Sequence, residues 1–199
     1  MKGPSHARLQ SSSDASSLLG ARAVDERVAG WLRVGLVAGT IAIAVNTGLL
    51  KAADWLHLDI SHGGLLTLLL RLIGRLARPD SSPTEWLLLY LPAFATPSLK
   101  IGFHIVVGML MALFYTRVLE PLLLPQRFAP WLKGSVYALL LWLANAAIVL
   151  PGLDQGFAGS HVLRIGGMLY FAGAHTAFFL ILAWVTALLR NRFGIWWRL

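Results

Sequence analysis

Two histidines lie inside long apolar runs, where an ionisable side chain is rare. His104 stands in "GFHIVVGMLMALFY" and His175 in "AGAHTAFFLILAWV". An ionisable residue within a membrane span usually faces the interior of the helix bundle and often marks a ligand, an ion pathway or a proton relay. A pair of imidazoles can bind a metal or a haem iron, pass on a proton or hydrogen-bond a quinone headgroup. The structural alternative is a neutral ring that bonds a neighbouring helix and fixes the packing.

Two asparagines accompany the histidines in the apolar runs. Asn46 and Asn145 can hydrogen-bond across a bundle or contact a polar ligand. We therefore take four residues as candidates for an intramembrane ligand-binding site: Asn46, His104, Asn145 and His175. The chain has no Ser/His/Asp order, phosphate loop, HExxH or dinucleotide fingerprint in a usable context, so we predict no catalytic residues.

A second set of imidazoles lies in the polar connections. His57, Asp59 and His62 occur in "HLDISH", and His161 follows Asp154 in "LDQGFAGSHV". Imidazole and carboxylate at these spacings can complete a zinc or copper site. A carboxylate or hydroxyl in front of an amphipathic segment also serves as a helix N-cap, and we favour that interpretation for "HLDISH".

The composition is that of a membrane protein. Hydrophobic residues make up 57% of the 199 residues, charged residues make up 13%, and the mean hydropathy is +0.67. Cysteine is absent, which excludes disulfides, thiolate zinc sites and iron–sulfur clusters. The net charge of +8 lies mainly beside the apolar runs. We therefore expect the lipid bilayer as partner and no nucleic acid. The residues leave the cofactor unknown, and a chain without one is the simplest interpretation.

Four segments are about 20 apolar residues long, which is the length that a spanning helix needs. They are residues 29–50, 99–119, 130–150 and 165–189. An even number of spans places both termini on one side. That side holds eleven of the 17 Lys and Arg residues and the other side holds six, so the positive-inside rule puts both termini in the cytoplasm.

The remaining segments surround one transmembrane domain, residues 29–190. Residues 1–28 are predicted as a mobile cytoplasmic tail, and residues 191–199 as an interfacial anchor. Residues 51–98 form an insertion between the first two spans. Within it, residues 65–76 read as an interfacial amphipathic helix, and residues 86–91 are too short to cross. The alternative is a five- or six-span protein whose insertion threads the bilayer.

The two halves of the apolar region resemble each other. The first span opens with "WLR" and carries Asn46, and the third opens with "WLK" and carries Asn145. The second span contains "GFH" and the fourth "GAH". We therefore predict an all-α, polytopic bundle of two repeated hairpins related by an axis along the membrane normal.

The motifs "VAGT", "GFHIVVGMLMALFY", "PWLKGSVYALLLWL" and "VLPG", with a histidine in the last span, resemble the YagU-like group of small bacterial inner-membrane proteins. The resemblance covers roughly residues 30–190. It departs in the long insertion and in "GAH", where a more glycine-rich helix start would fit better. It implies four helices in a bacterial inner membrane and no established chemistry.

Three functional hypotheses follow. The first is a non-enzymatic accessory or assembly subunit, or a homo-oligomeric bundle, in which the histidine pair helps assembly. The second is transport or binding of a metal ion, a proton or a small lipid-soluble ligand in an outward-facing polar pocket. The third is a b-type haem or quinone redox protein.

Overall fold

The computed structural model describes residues 5–58, 66, 69–70, 96–123, 128–161 and 163–193, with side chains from Val28 onward. All regular structure in these ranges is helical, and none of it is strand. Within them, four helices are long and apolar enough to cross a membrane: Val28–Trp55, Pro97–Leu122, Pro130–Gly152 and Ile165–Arg192. They match the four predicted spans and are called the first to fourth span below. The chain is a multi-pass membrane protein by this measure.

The first span belongs to α1, Ser5–Trp55, which begins well before the apolar segment. The backbone of the predicted tail is therefore helical from Ser5, while its mobility and its cytoplasmic location stay predictions. Most of residues 59–95 lies outside the described residues, and so do the proposed amphipathic helix, the segment 86–91 and the five- or six-span alternative. Residues 194–199 of the predicted anchor lie outside them as well.

The second span begins with α2, Pro97–Phe114. The Thr96 side chain accepts a hydrogen bond from the Leu99 backbone N–H at 3.4 Å, and Pro97 occupies the first turn, where its missing N–H costs nothing. The helix continues through a π-helical turn, Tyr115–Leu119, into α3, Glu120–Leu123. The span thus starts two residues before the predicted boundary at residue 99.

The third span has the same construction. It comprises α4, Pro130–Ala144, a π-helical turn, Asn145–Val149, and α5, Leu150–Gly152. In both spans a proline stands six residues after the start of the π turn, in "YTRVLEP" and "NAAIVLP". A proline has no N–H and its ring crowds the carbonyl four residues earlier, and a wider turn relieves that crowding. We therefore attribute both π turns to the prolines.

A short connection leads from the third span to the fourth. It contains a 3₁₀ turn, Phe157–Gly159, flanked by Gly156 at φ 72° and ending in Gly159 at φ 80°. Such angles suit glycine because it has no Cβ. The fourth span lies in α6, Ile165–Phe193.

The first span packs against the second and the fourth, and the third packs against the fourth. Small residues allow these helices to approach closely. A Cβ built on Gly39 would lie 2.7 Å from the Ala112 Cβ, and one on Gly134 would lie 2.8 Å from the Phe179 carbonyl oxygen. Ala38 is fully buried. Small residues of the first span thus lie in close contact with the second.

The apolar core occupies the half of the bundle that contains Val28 and Arg192. Tyr115, Thr116, Leu182 and Thr186 are its largest fully buried side chains. The predicted repeat of two hairpins is not shown by this arrangement, because the π turn lies in the second span of one hairpin and in the first span of the other. It stays a prediction.

Candidate functional site

All four predicted intramembrane residues lie in the half of the bundle opposite the core. We call three of them, Asn46, His104 and His175, the histidine cluster. The Asn46 amide donates to His104 Nε2 at 3.3 Å, which links the first and second spans. Accepting at Nε2 places the proton of a neutral His104 on Nδ1. Asn46 is 2% exposed, and its Oδ1 has no hydrogen-bond partner in the described part of the chain.

His175 is held by its own helix. Its Nδ1 donates to the Phe171 carbonyl oxygen at 2.9 Å, and the two rings lie with their centroids 4.1 Å apart. This bond leaves Nε2 of a neutral His175 as an acceptor. His104 and His175 are close enough to interact electrostatically. One turn away, the Tyr170 hydroxyl donates to the Leu49 carbonyl at 2.7 Å and joins the fourth span to the first.

Asn145 is not bonded to this cluster. It begins the π turn of the third span and lines a small space of about 20 Å³ together with Trp142, Met168 and Phe171. Its side chain makes no hydrogen bond to any described residue. The symmetric partnership of Asn46 with His104 and of Asn145 with His175, which the repeat suggests, is present only in the first hairpin.

The weak metal candidates are scattered. His57 lies exposed in the turn after α1 at φ 52°, and His161 Nδ1 donates to the Asp154 carbonyl oxygen at 3.3 Å. Asp59 and His62 lie outside the described residues. Within the ranges that the structure describes, no three or more His, Cys, Asp or Glu side chains are grouped as a metal site.

The opposite end of the bundle contains a buried ion pair that the sequence analysis did not predict. Arg190 Nη2 lies 2.7 Å from Glu120 Oε2, and both side chains are 9% exposed. The same Nη2 donates to the Thr116 carbonyl oxygen at 3.0 Å. These contacts tie the end of the fourth span to the end of the second. We call Glu120, Lys133 and Arg190 the charged end.

The π turn supplies the acceptor for Arg190. In an α-helix the Thr116 carbonyl would receive the Glu120 N–H, but that N–H donates to Tyr115 instead. In a π-helix the donor would be residue 121, which is proline. The carbonyl is thus available to the guanidinium. The sequence feature that could have indicated this ion pair is an acidic residue, Glu120, directly before a proline at the end of an apolar run.

The third span contributes a second cation and an aromatic stack to the charged end. Lys133 interacts electrostatically with both Glu120 and Arg190. The rings of Tyr115 and Tyr137 stack with their centroids 5.4 Å apart, and Tyr137 contacts Phe179 at 4.5 Å. The second, third and fourth spans therefore meet here, although the second and third separate further along.

Neither family models, curated proteins nor solved structures yield a match to this chain.

Proposed function

We propose that this chain is a small, non-enzymatic integral membrane protein of the bacterial inner membrane that acts as an accessory or assembly subunit or as a homo-oligomeric bundle. The four spans support the membrane part of this proposal. The resemblance of "GFHIVVGMLMALFY" and "PWLKGSVYALLLWL" to the YagU-like group supports the bacterial inner membrane. The excess of Lys and Arg on the side of the termini supports a cytoplasmic location for both.

The observation that carries the assembly role is a set of glycines that no other described helix covers. A Cβ on Gly102, Gly166 or Gly173 would meet no atom of the described residues within 4 Å. Gly166 and Gly173 stand two turns apart on one helix, so both offer a flat surface to a further helix. A second copy or another membrane subunit would fill it.

The interior hydrogen bonds are consistent with a structural role for the polar residues. Asn46 with His104 joins the first span to the second, and Tyr170 with Leu49 joins the fourth to the first. Interhelical hydrogen bonds of this kind stabilise membrane bundles by about 0.6 kcal/mol on average. The histidine pair thereby helps to position the surface that carries the open glycines.

The test uses the absence of cysteine from the chain. A single cysteine in place of Leu169, 69% exposed between Gly166 and Gly173, should form disulfide-linked dimers or link to a partner in native membranes. Leu139→Cys, at a residue 56% exposed on the third span, is the matched control and should not. A protein that runs as a lone monomer in mild detergent, with no cross-link at residue 169, contradicts the proposal.

A second candidate function is binding or transport of a proton, a metal ion or a small polar group at the histidine cluster. Asn46 Oδ1 supports it, since this buried acceptor has no partner among the described residues and lies beside His104. An unsatisfied buried acceptor costs about 1–3 kcal/mol, and a ligand or water that donates to it would recover that energy.

Elemental and optical analysis of the purified protein tests this candidate and the haem alternative together. Bound zinc or copper at one equivalent, lost in both His104→Ala and His175→Ala, would support the candidate. A Soret band would indicate haem. Metal-free, colourless protein whose proton uptake in vesicles is the same in both variants as in the wild type would contradict it.

A further inference from the structure

An apolar cleft separates the second and third spans. Its volume is about 390 Å³, within the range of small-ligand sites in proteins. Its walls consist of aliphatic and aromatic side chains, among them Leu110, Phe114 and Leu119 on one side and Tyr137, Leu141 and Ala144 on the other. Leu110 is 61% exposed and Phe114 is 50% exposed, so the cleft opens sideways, where a membrane protein meets lipid.

The cleft has the length of one lipid leaflet. Leu110 and Leu119 are nine residues apart, which corresponds to about 14 Å along a helix. Half of a hydrocarbon core of about 30 Å is about 15 Å. Tyr137, which stacks on Tyr115, lines the cleft near the charged end, and Ala144 lines it further toward the histidine cluster. An acyl chain that entered at the charged end would reach the bilayer centre.

A positive charge stands at that end. Lys133 lies one helical turn before Tyr137, on the same face of the third span. Glu120 and Arg190 neutralise each other, and Lys133 makes no ion pair within 4 Å in the part of the chain that is described. Arg117, exposed on the second span, adds a further cation. The net charge near the mouth is therefore positive and suits a phosphate.

We infer that the cleft between the second and third spans binds one anionic phospholipid, whose acyl chain lies along Leu110, Phe114 and Leu141 and whose phosphate contacts the Lys133 ammonium. The length of the cleft and the positive charge at its mouth both favour a lipid from the leaflet at the charged end. In the orientation proposed above, this is the cytoplasmic leaflet. A zwitterionic lipid would fill the same cleft but would gain less from the cation. This site is independent of the open glycines on the fourth span.

Native mass spectrometry of the full chain tests the inference with two defined probes, phosphatidylglycerol and phosphatidylcholine. The wild type should retain one phosphatidylglycerol more tightly than phosphatidylcholine. Lys133→Gln should weaken retention of phosphatidylglycerol about fivefold, which is the effect of one lysine at an anionic surface, and leave phosphatidylcholine unchanged. Arg192→Gln, an exposed cation at the same end, is the control and should leave both lipids unchanged.

A second set of variants fills the cleft with a larger side chain. Ala144→Phe should reduce retention of both lipids, whereas Ala147→Phe, at an exposed position three residues further on, should not. Leu110→Trp at the rim serves the same purpose if Ala144→Phe does not fold. The inference is overturned if the wild type retains the two lipids equally well, or if Lys133→Gln retains phosphatidylglycerol as tightly as the wild type does. A disulfide between two copies of Leu140→Cys shows that a second copy occupies the cleft and overturns it too.

Discussion

The two ends of the bundle use polar residues in opposite ways. At the charged end, Arg190 contacts both a carboxylate and a backbone carbonyl, and the surrounding helices touch at Gly35, Gly39 and Gly134. In the histidine half, Asn46 and His104 share one long hydrogen bond of 3.3 Å, and a Cβ on Gly48, Gly102 or Gly173 would contact no residue that the structure describes. The charged end is thus closely packed, while the histidine half is held by a few hydrogen bonds.

This difference separates stability from function. Close packing leaves little room for a ligand between the helices around the Glu120–Arg190 pair, although Thr186 Oγ1 nearby has no hydrogen-bond partner among the described residues. The cleft described above lies beside this region and opens toward lipid. A half with an unpartnered acceptor and open glycines can accept another group, either a ligand or a helix. We therefore expect substitutions in the Glu120–Arg190 pair to reduce the free energy of unfolding most, and substitutions in the histidine half to change assembly or the binding of a polar ligand. Lys133 is the exception at the charged end, because it lies outside that pair and is expected to affect lipid binding.

The largest effect is expected for Arg190→Met. It removes the partner of Glu120 and the donor to the Thr116 carbonyl, and breaking a buried ion pair costs about 3–5 kcal/mol. Reversible unfolding in mixed micelles measures this loss.

Arg117→Met is its control, because that arginine is exposed on the second span. It should change the free energy of unfolding by less than about 0.5 kcal/mol. If the two variants are equally stable, the ion pair does not hold the charged end together.

The next effect is expected for Gly134→Leu. A Cβ there would lie 2.8 Å from the Phe179 carbonyl oxygen and 3.0 Å from the Leu180 Cα, and backbone atoms cannot move aside. Overpacking of this kind costs about 1–3 kcal/mol. The same unfolding experiment on Gly173→Leu should show almost no loss of monomer stability, because nothing lies within 4 Å. Equal losses would remove the contrast in packing between the two halves.

The sequence predicted the spans well because apolar length is a strong and local signal. The structure extends the first span to Trp55 and the second to Leu122, beyond the predicted ends at residues 50 and 119. It also joins Asn46 to His104 by a hydrogen bond and puts His175 within electrostatic reach of His104, while the role of these residues as a ligand site stays a prediction. The bounds of the spans depend only on position along each helix axis, and that position follows from counting residues.

The sequence did not predict features that depend on rotation about the helix axes or on neighbouring helices. The pairing of Glu120 with Arg190 joins residues 70 positions apart, and no pattern within one span indicates it. We attribute both π turns to Pro121 and Pro151, and the length of an apolar run does not predict such turns. The positions of the glycines in the sequence do not distinguish Gly39, which lies against Ala112, from Gly102 and Gly173, where a Cβ would meet no described atom within 4 Å.

A smaller effect is expected for His104→Ala. It removes the acceptor of the Asn46 amide and leaves a buried polar side chain with no partner, which costs about 1–2 kcal/mol. Unfolding in micelles measures the loss. His57→Ala, at an exposed histidine in the turn after α1, should cost almost nothing. A neutral outcome for His104→Ala would mean that the bond does not link the two spans.

The smallest effect is expected for Tyr170→Phe. It deletes the hydroxyl that donates to the Leu49 carbonyl at 2.7 Å and keeps the ring. Membrane interhelical hydrogen bonds average about 0.6 kcal/mol, so the loss should be of that size. Tyr170→Phe should unfold at a slightly lower denaturant fraction than the wild type. A loss above about 2 kcal/mol would place the main support of the bundle in the histidine half.

The most direct test of the contrast is the difference between two coupling free energies, one from a double-mutant cycle of Glu120→Gln with Arg190→Met and one from a cycle of Asn46→Ala with His104→Ala. Such cycles isolate the pairwise contribution from the cost of each substitution. We predict a coupling of several kcal/mol for the buried ion pair of Glu120 with Arg190 and about 0.6 kcal/mol for the hydrogen bond of Asn46 with His104. Equal couplings, or a larger coupling for Asn46 with His104, would contradict it.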